Sequence, residues 1–316
     1  MLRSFEIGYC ILPTTHRFPM SRPIALSCLL LATAIWGFAF IAQKTAMDVM
    51  GPLTFTGSRF LLGGLLVLPF ALRENARQPE KLDRRQWALI GFLSLNFFMG
   101  ALLQQLGLQF TTITNSGFLT GLYVLFVPVI LLVVFRQPPH KVIWVGMPLA
   151  LIGLFLLNGA RLDRLNTGDS LVIASAVFWA LHVLLLGYLA IETRRPIFIS
   201  AVSFLAAGVL GLSGALAFET PTLSALTAGW VEIVYAGALS TAVGFTLQAI
   251  GQQHVPPANA AIILSAESLF AALGGALILG ERLDALGYVG VAMIFAAVFL
   301  VELLPNLRRK PVTQPG

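Results

Sequence analysis

Residues 100–109 read GALLQQLGLQ, and residues 244–253 read GFTLQAIGQQ. The two stretches lie 144 residues apart and share two glycines and two glutamines in register. At this offset, 13 of the 63 residues from 95 to 157 are identical to their partners without a gap. Chance similarity between apolar helices is the alternative, but chance does not keep rare polar residues in register. We therefore interpret the two stretches as equivalent parts of an internal repeat.

The composition indicates which solvent surrounds the chain. Of its 316 residues, 57% are hydrophobic and 11% are charged, and the mean hydropathy is +0.86. A soluble domain carries about 25% charged residues, so this chain cannot cover a water-exposed surface. Because a transmembrane helix needs about 20 apolar residues, the long apolar runs are predicted to be membrane spans. The predicted spans are Ile24–Ala46, Leu53–Leu72, Trp87–Leu108, Ser116–Phe135, Val142–Leu157, Ser170–Leu189, Ile197–Phe218, Val231–Ile250, Ala258–Leu279 and Ala285–Leu303.

These runs predict the fold class, an all-α integral membrane protein with ten transmembrane helices arranged as two inverted five-helix repeats. Each half holds five spans, an odd number, so the second half enters the membrane upside down relative to the first. Many secondary transporters use two such halves to build a site that opens to either side. The predicted segments are a cytoplasmic tail (1–23), a first repeat (24–160), a second repeat (161–304) and a second cytoplasmic tail (305–316).

The first 19 residues read as irregular sequence before the first apolar run. We interpret Met20 as the true start, or residues 1–19 as a dispensable tail, and N-terminal sequencing of the expressed protein distinguishes the two. A cleaved signal peptide is disfavoured, because the run from Ile24 is long and lacks a clear small-residue cleavage site.

The distribution of lysine and arginine predicts the orientation. With the N-terminus inside, 15 of the 20 basic residues fall in cytoplasmic segments, 4 fall outside and Arg59 falls within a span. Cytoplasmic loops carry such an excess, so both termini are predicted to be cytoplasmic. The predicted location is the plasma membrane, in bacteria the inner membrane. The net charge of +6 then reflects topology, and nucleic acid is not a predicted partner.

Several motifs resemble a known family. Trp36-Gly37 is followed by Lys44, residues 117–128 read GFLTGLYVLFVP, residues 266–275 read AESLFAALGG, and residues 279–283 read LGERL. These resemble EamA-type members of the drug/metabolite transporter (DMT) superfamily, over nearly the whole chain. The resemblance implies ten helices in two inverted repeats, cytoplasmic termini, and transport of a small metabolite, often an amino acid or a related compound.

The chain departs from the family pattern at two places. Ser268 follows Glu267 where the family often has proline. Arg136-Gln137 stand in the first half where the repeat would place Gly-Glu.

Polar and aromatic side chains inside the spans are the candidate substrate-binding residues. An Asp, Lys or Arg at the centre of a membrane helix costs about 2.5–3.5 kcal/mol on insertion scales, and such residues usually face the bundle interior. The candidates for substrate binding are Trp36, Arg59, Asn96, Gln104, Tyr123, Trp179, His182, Gln248 and Glu267.

The acidic and basic candidates have two interpretations each. Glu267 is the candidate for proton coupling or for pairing with a substrate amine, and the alternative is a neutral carboxyl that bonds a neighbouring helix. Arg59 either binds a carboxylate or snorkels to the nearby outer interface. His182 either relays protons or is a hydrogen-bonded packing residue.

The neutral candidates also have two interpretations each. Gln104 and Gln248 hold equivalent positions in the two repeats. They either contact the two ends of a polar ligand or form hydrogen bonds between helices of the two halves. Asn96 lies eight residues before Gln104 on the same predicted helix and roughly on the same face of it, so it is also a candidate for the cavity. The aromatic candidates stack on a ligand or serve packing and interface belts. Tyr123 is the repeat partner of Glu267, so the two are expected at matching depth.

The chain lacks the common catalytic motifs. It has no Gly-x-x-x-x-Gly-Lys-Ser/Thr phosphate loop, no His-Glu-x-x-His and no Gly-x-Ser-x-Gly, so we predict no enzyme activity, no cofactor and no metal site. The predicted function is a secondary transporter for a small metabolite, amino-acid-like or related, that works by rocking of the two inverted halves, with export favoured. The predicted partners are that substrate, protons and the lipid bilayer.

Two alternative functions remain open. A channel would require a continuous pore, and the absence of a charged ring or filter-like sequence argues against it. A membrane interaction protein without transport is the other alternative. The protein is a monomer or a homodimer, since apolar spans hide a subunit interface as easily as a lipid-facing surface.

Overall fold

The computed structural model describes residues 20–160, 165–278 and 283–307, with side chains as far as residue 304. Within these ranges the chain is helical and crosses the membrane ten times. Nine spans are long and apolar, whereas span 5 has 15 residues. Spans 1 to 10 are Arg22–Thr45 with the 3-10 turn Ala46–Asp48; Pro52–Ala76; Arg84–Gly107; Ile113–Thr120 with Tyr123–Val133; Ile143–Leu157; Thr167–Thr193; Pro196–Phe218; Trp230–Val234 with the π-helix Tyr235–Phe245 and Thr246–Gln252; Pro257–Leu264 with Glu267–Ile278; and Ala285–Leu307.

The predicted fold class is confirmed, and the span boundaries differ from the predicted ones by at most four residues. A short helix, Leu223–Ala228, precedes span 8. The predicted N-terminal tail as far as Pro19, the Gly280-Glu281-Arg282 motif and the basic residues from Arg308 to Lys310 lie outside the described residues. We call the face where span 1 begins the N face and the other the far face.

Local sequence sets where several spans begin. Proline stands at the start of spans 2, 7 and 9, where its missing N–H is not needed and its fixed φ suits a helix. Span 3 begins with a capping box in which Asp83 accepts from Gln86 N and Asp83 N donates to the Gln86 side chain. These signals explain why the helix starts could be located from the sequence.

Spans 4 and 9 are interrupted at repeat-related positions. In span 4, helix Ile113–Thr120 ends and a second helix begins at Tyr123, and in span 9 helix Pro257–Leu264 ends and a second begins at Glu267. At both breaks the backbone tightens to i−3 hydrogen bonds, Leu122 N to Leu119 O at 3.2 Å and Ala266 N to Ile263 O at 3.1 Å. These bonds are 144 residues apart, so the repeat extends to backbone detail.

The two sequence halves are interleaved. The most extensive helix pairs join span 2 with 7, span 3 with 6, span 5 with 10 and span 1 with 8, each taking one member from each half. At the first pair, a Cβ on Gly57 would lie 2.5 Å from Leu212 N, and a Cβ on Gly211 would lie 2.6 Å from the Cα of Gly57. At the third, a Cβ on Gly290 would collide with the carbonyl oxygen of Gly153. Backbones therefore touch across the halves.

Two carboxylates link spans 2 and 7 at opposite faces. On the far face, Glu219 accepts from Leu53 N and Thr54 N, both at 2.8 Å, and from the Thr54 hydroxyl at 2.6 Å. On the N face, Glu74 accepts from Phe198 N at 2.8 Å. The first amides of a helix have no intrahelical partner and favour negative charge, so each carboxylate caps the neighbouring span.

Equivalent polar clusters also join three spans at each face. On the N face, Arg22 pairs with Glu302 at 2.9 Å, and Asn259 Nδ2 donates to Glu302 at 3.1 Å, which connects spans 1, 9 and 10. On the far face, Asn158 Nδ2 donates to Asn115 at 3.2 Å, and Asn115 Nδ2 donates to Asp169 at 2.5 Å, at the ends of spans 4, 5 and 6. Asn115 and Asn158 are 144 residues before Asn259 and Glu302, so the repeat governs both clusters.

Candidate functional site

A cavity lies in the middle of the bundle, between the two halves. Seven of the nine residues predicted from the sequence line it. These are Trp36, Arg59, Gln104, Tyr123, Trp179, Gln248 and Glu267. They come from spans 1, 2, 3, 4, 6, 8 and 9, so both halves contribute to one space.

The other two predicted residues do not line the cavity. Asn96 is buried, and its Nδ2 donates to Phe92 O at 2.9 Å, one turn earlier in the same helix. His182 lies behind the wall, with its ring centroid 5.2 Å from that of Phe97 and 5.6 Å from that of Trp179. His182 is therefore buried among aromatic rings next to the cavity lining.

The lining also includes residues that the sequence analysis did not select. The sequence spacing could have identified two of them. Phe40 and Gln43 follow Trp36 by one and two helical turns, so they share its helix face. The remainder are apolar or weakly polar and look like ordinary span residues. The lining residues missed are Phe40, Gln43, Thr120, Val183, Ser240, Phe245 and Leu264.

The helix breaks place the two repeat partners in this cavity. Tyr123 and Glu267 are each the first residue of the second half-helix, in spans 4 and 9 respectively. Both are buried, with 4% and 6% of their surface exposed. The Glu267 Oε1 atom is buried without a hydrogen-bond partner among the described residues. Interrupted helices at matching positions of inverted halves are where many transporters bind substrate.

Hydrogen bonds fix the two tryptophans in the wall. Trp179 Nε1 donates to Gln104 Oε1 at 3.0 Å, and the Trp179 ring stacks on Phe245 at a centroid distance of 5.7 Å and an angle of 16°. Trp36 Nε1 donates to Ser240 O at 3.1 Å. The two tryptophans thus present apolar rings to the cavity, while the hydrogen bonds of their indole N–H groups hold the rings in one orientation.

Replacement of Gln104 by leucine is expected to loosen this wall. The Trp179 N–H would lose its acceptor inside the bundle, which costs about 1–3 kcal/mol for an unsatisfied buried donor. We expect a lower thermal unfolding midpoint and a shifted tryptophan emission. Gln109→Leu, at an exposed position five residues later, is the matched control. Equal unfolding midpoints and emission for the two variants would contradict the anchoring role of Gln104.

Span 8 breaks the symmetry of the site. Its segment Tyr235–Phe245 is a π-helix, whereas span 3, its repeat counterpart, is an α-helix throughout. The Thr241 hydroxyl donates to Ala236 O, five residues earlier, at 2.7 Å. Such π segments are frequent at functional sites, and this one carries Ser240 and Phe245 into the cavity wall.

Arg59 brings a buried positive charge to the cavity. Only 4% of its surface is exposed, so its side chain is enclosed by the bundle and does not extend to the far face. Its guanidinium carbon lies 4.5 Å from the ring centroid of Phe60 and 5.2 Å from that of Phe55. The cation therefore rests on two aromatic faces at the wall of the cavity.

A family model matches this architecture twice. The model of the EamA-like transporter family fits residues 23–159 and again residues 166–303. This chain belongs to the EamA-like transporter family. Both the motifs in spans 4 and 9 and the repeated five-span units fall within the matched residues, so the family resemblance inferred from the sequence is confirmed.

Relatives of this EamA-like protein are named as transporters. A transporter of Archaeoglobus fulgidus is 30% identical over 275 residues, which are 87% of this chain and 84% of the relative. The inner membrane transporter YedA of Escherichia coli K12 is 26% identical over 290 residues, covering 89% and 92% of the two chains. Membership and these relatives establish a multi-pass membrane transporter of a small molecule.

Two further similarities are narrower. The S-adenosylmethionine/S-adenosylhomocysteine transporter of Chlamydia muridarum is 33% identical over 100 residues, 31% of each chain. A crystal structure with 18% sequence identity superposes with a TM-score of 0.74 over 92% of this chain and all of the other. That structure supports the fold alone.

Proposed function

We propose that this EamA-like protein is a secondary transporter that moves a small metabolite, amino-acid-like or related, across the plasma membrane by alternating access, with export favoured. The observation that carries the proposal is the pair of interrupted spans at repeat-related positions, whose second halves begin with Tyr123 and Glu267 at one central cavity. Interruptions of a membrane helix are tolerated where local 3-10 bonds and a cavity satisfy the backbone groups, as at these two tightened turns.

The proposed orientation places the N face in the cytoplasm. This assignment rests on the excess of lysine and arginine in the segments at that face, including the loop between spans 2 and 3. Both termini are then cytoplasmic.

The interleaved packing refines the motion inferred from the sequence. Rocking residues 24–160 against residues 161–304 as rigid bodies would separate every one of the close helix pairs, including the backbone contact of Gly57 with Gly211. Packed interfaces of this kind switch between discrete arrangements and do not slide freely. We therefore propose that the moving bodies each combine spans from both halves.

Glu267 is the proposed proton-coupling residue. Its carboxyl group lies at the cavity, at a helix break, and one of its oxygens is buried without a partner. A group in this position can take up a proton or a substrate amine when the cavity opens to one side, and release it when the cavity opens to the other.

Metabolite profiling tests the proposed transport. Cells that express the wild type, Glu267→Gln or an empty vector are compared for small molecules in medium and cytosol. We expect one compound class to move outward with the wild type, at a rate that Glu267→Gln lowers by at least about tenfold through loss of the titratable group.

Equal membrane amounts of the two proteins are the control for folding. Identical profiles of wild type and vector would contradict export of an endogenous metabolite. A Glu267→Gln protein with the wild-type rate and unchanged pH dependence would remove the proton-coupling role while leaving transport in place.

A further inference from the structure

Arg59 carries a charge that nothing in the described part of the chain neutralises. It is the eighth residue of span 2 and lines the central cavity. No ion pair or hydrogen bond of its side chain is present among the described residues, and its Nε is buried without an acceptor. The acid of the same cavity, Glu267, forms no ion pair with it.

Other cations of the bundle are compensated. Arg22 pairs with Glu302 at 2.9 Å. Lys44 donates to Leu108 O at 2.5 Å and to Thr111 O at 3.1 Å. Arg195, which is as buried as Arg59, donates to Glu80 O. The fold thus supplies at least one acceptor to each of these cations, although Arg195 Nε is also buried without one. Arg59 differs because no acceptor among the described residues reaches any nitrogen of its guanidinium.

The aromatic rings beside Arg59 supply neither a counter-charge nor hydrogen-bond acceptors for its guanidinium. The Arg59 guanidinium carbon lies over the rings of Phe55 and Phe60, but a ring face attracts a cation without offering its N–H donors a lone-pair acceptor. A guanidinium presents a planar fork of donors that matches a carboxylate bidentately. A buried charge of this kind requires a counter-charge, so the missing partner is an anion that enters the cavity.

We infer that the transported substrate is an organic anion whose carboxylate binds Arg59 and whose apolar body lies against the aromatic wall. This inference rests on the proposed transport function and narrows its substrate class. Trp36, Trp179 and Phe245 belong to the apolar part of the lining, and the Trp179 and Phe245 rings are stacked at 16°. The site therefore combines one cationic anchor with a wide apolar surface.

Three probes of the same shape and different charge test this inference. They are phenylacetate, phenethylamine and phenylacetamide, each titrated against the purified full-length protein while thermal unfolding is followed. A ligand that binds the folded state raises the unfolding midpoint by an amount that grows with its free concentration relative to its Kd, so midpoints measured at several concentrations give the affinity. We expect phenylacetate to bind at least about tenfold more tightly than the amine or the amide, since only it can pair with Arg59.

Two substitutions complete the test. Arg59→Gln is expected to weaken phenylacetate binding by at least about tenfold, and Arg59→Lys to retain part of it, because lysine keeps the charge and loses the fork. Without ligand, Arg59→Gln is expected to unfold at the wild-type temperature or higher, since it removes an uncompensated buried charge. That comparison separates a lost site from a misfolded protein.

The inference fails if phenylacetate does not stabilise the wild type, if the amine or amide binds equally well, or if Arg59→Gln binds phenylacetate like the wild type. It also fails if the compound class exported in the profiling experiment carries no carboxylate. In that last case the transport function itself stands, so the two failures are distinguishable.

Discussion

Gly211→Val is expected to prevent normal assembly of the bundle, because it separates the helix pair with the most extensive contact. A Cβ at residue 211 would lie 2.6 Å from the Cα of Gly57 and 2.7 Å from its amide nitrogen, and both are backbone atoms that cannot move aside. Overpacking costs about 1–3 kcal/mol where side chains can adjust, and a backbone collision exceeds that range. We expect little folded protein in membranes, measured by monodisperse yield after extraction and by thermal unfolding.

The matched control is Gly91→Val. Gly91 is also a helical glycine, in span 3, and a Cβ there meets nothing within 4 Å. Its replacement is expected to leave yield and unfolding midpoint close to the wild type, since the helix gains a better former than glycine. If both variants fold equally well, close backbone approach does not hold spans 2 and 7 together.

Glu219→Ala is expected to have the second largest effect on stability. The substitution removes three hydrogen bonds, of 2.6–2.8 Å, to Leu53 N, Thr54 N and the Thr54 hydroxyl. A hydrogen bond to a charged group contributes about 1.5–3 kcal/mol, and because the three bonds share one carboxylate we expect a loss of about 3 kcal/mol in total. Thermal unfolding measures the loss of stability. Faster hydrogen exchange of the amides of residues 53 and 54 shows that the loss arises at the start of span 2.

Two further variants serve as controls for this prediction. Glu80→Ala removes an exposed glutamate in the loop before span 3 and is expected to unfold like the wild type. Glu219→Gln keeps one acceptor oxygen and loses the charge, so it is expected to fall between wild type and alanine. A Glu219→Ala protein with the wild-type midpoint and unchanged exchange would show that the cap contributes nothing.

The spans could be predicted because each depends on local properties of the chain. Twenty or so apolar residues are sufficient to cross a bilayer, whatever they pack against. Proline at the starts of spans 2, 7 and 9 and the Asp83 capping box mark helix beginnings without reference to neighbours. Among the spans as far as the structure describes them, only span 5, with 15 residues, is shorter than this rule expects.

The cavity residues were partly predictable for a related reason. A charged or amide side chain inside a membrane has few favourable places, so Arg59, Gln104, Gln248 and Glu267 converge on the bundle interior. Asn96 has the same chemistry and still lies elsewhere, where its Nδ2 donates to Phe92 O in its own helix and its Oδ1 is buried without a partner among the described residues. Whether a polar residue reaches the cavity therefore depends on its neighbours in space.

The sequence by itself determined the ten crossings, the internal repeat and most of the polar side chains at the centre, because hydropathy, register and the penalty for buried polarity act along the chain. The tertiary structure decided the rest. It sets the breaks before Tyr123 and Glu267, the π-helix of span 8 and the pairing of each span with one from the other half. These depend on how closely backbones such as those of Gly57 and Gly211 approach, and that distance is a property of two helices together.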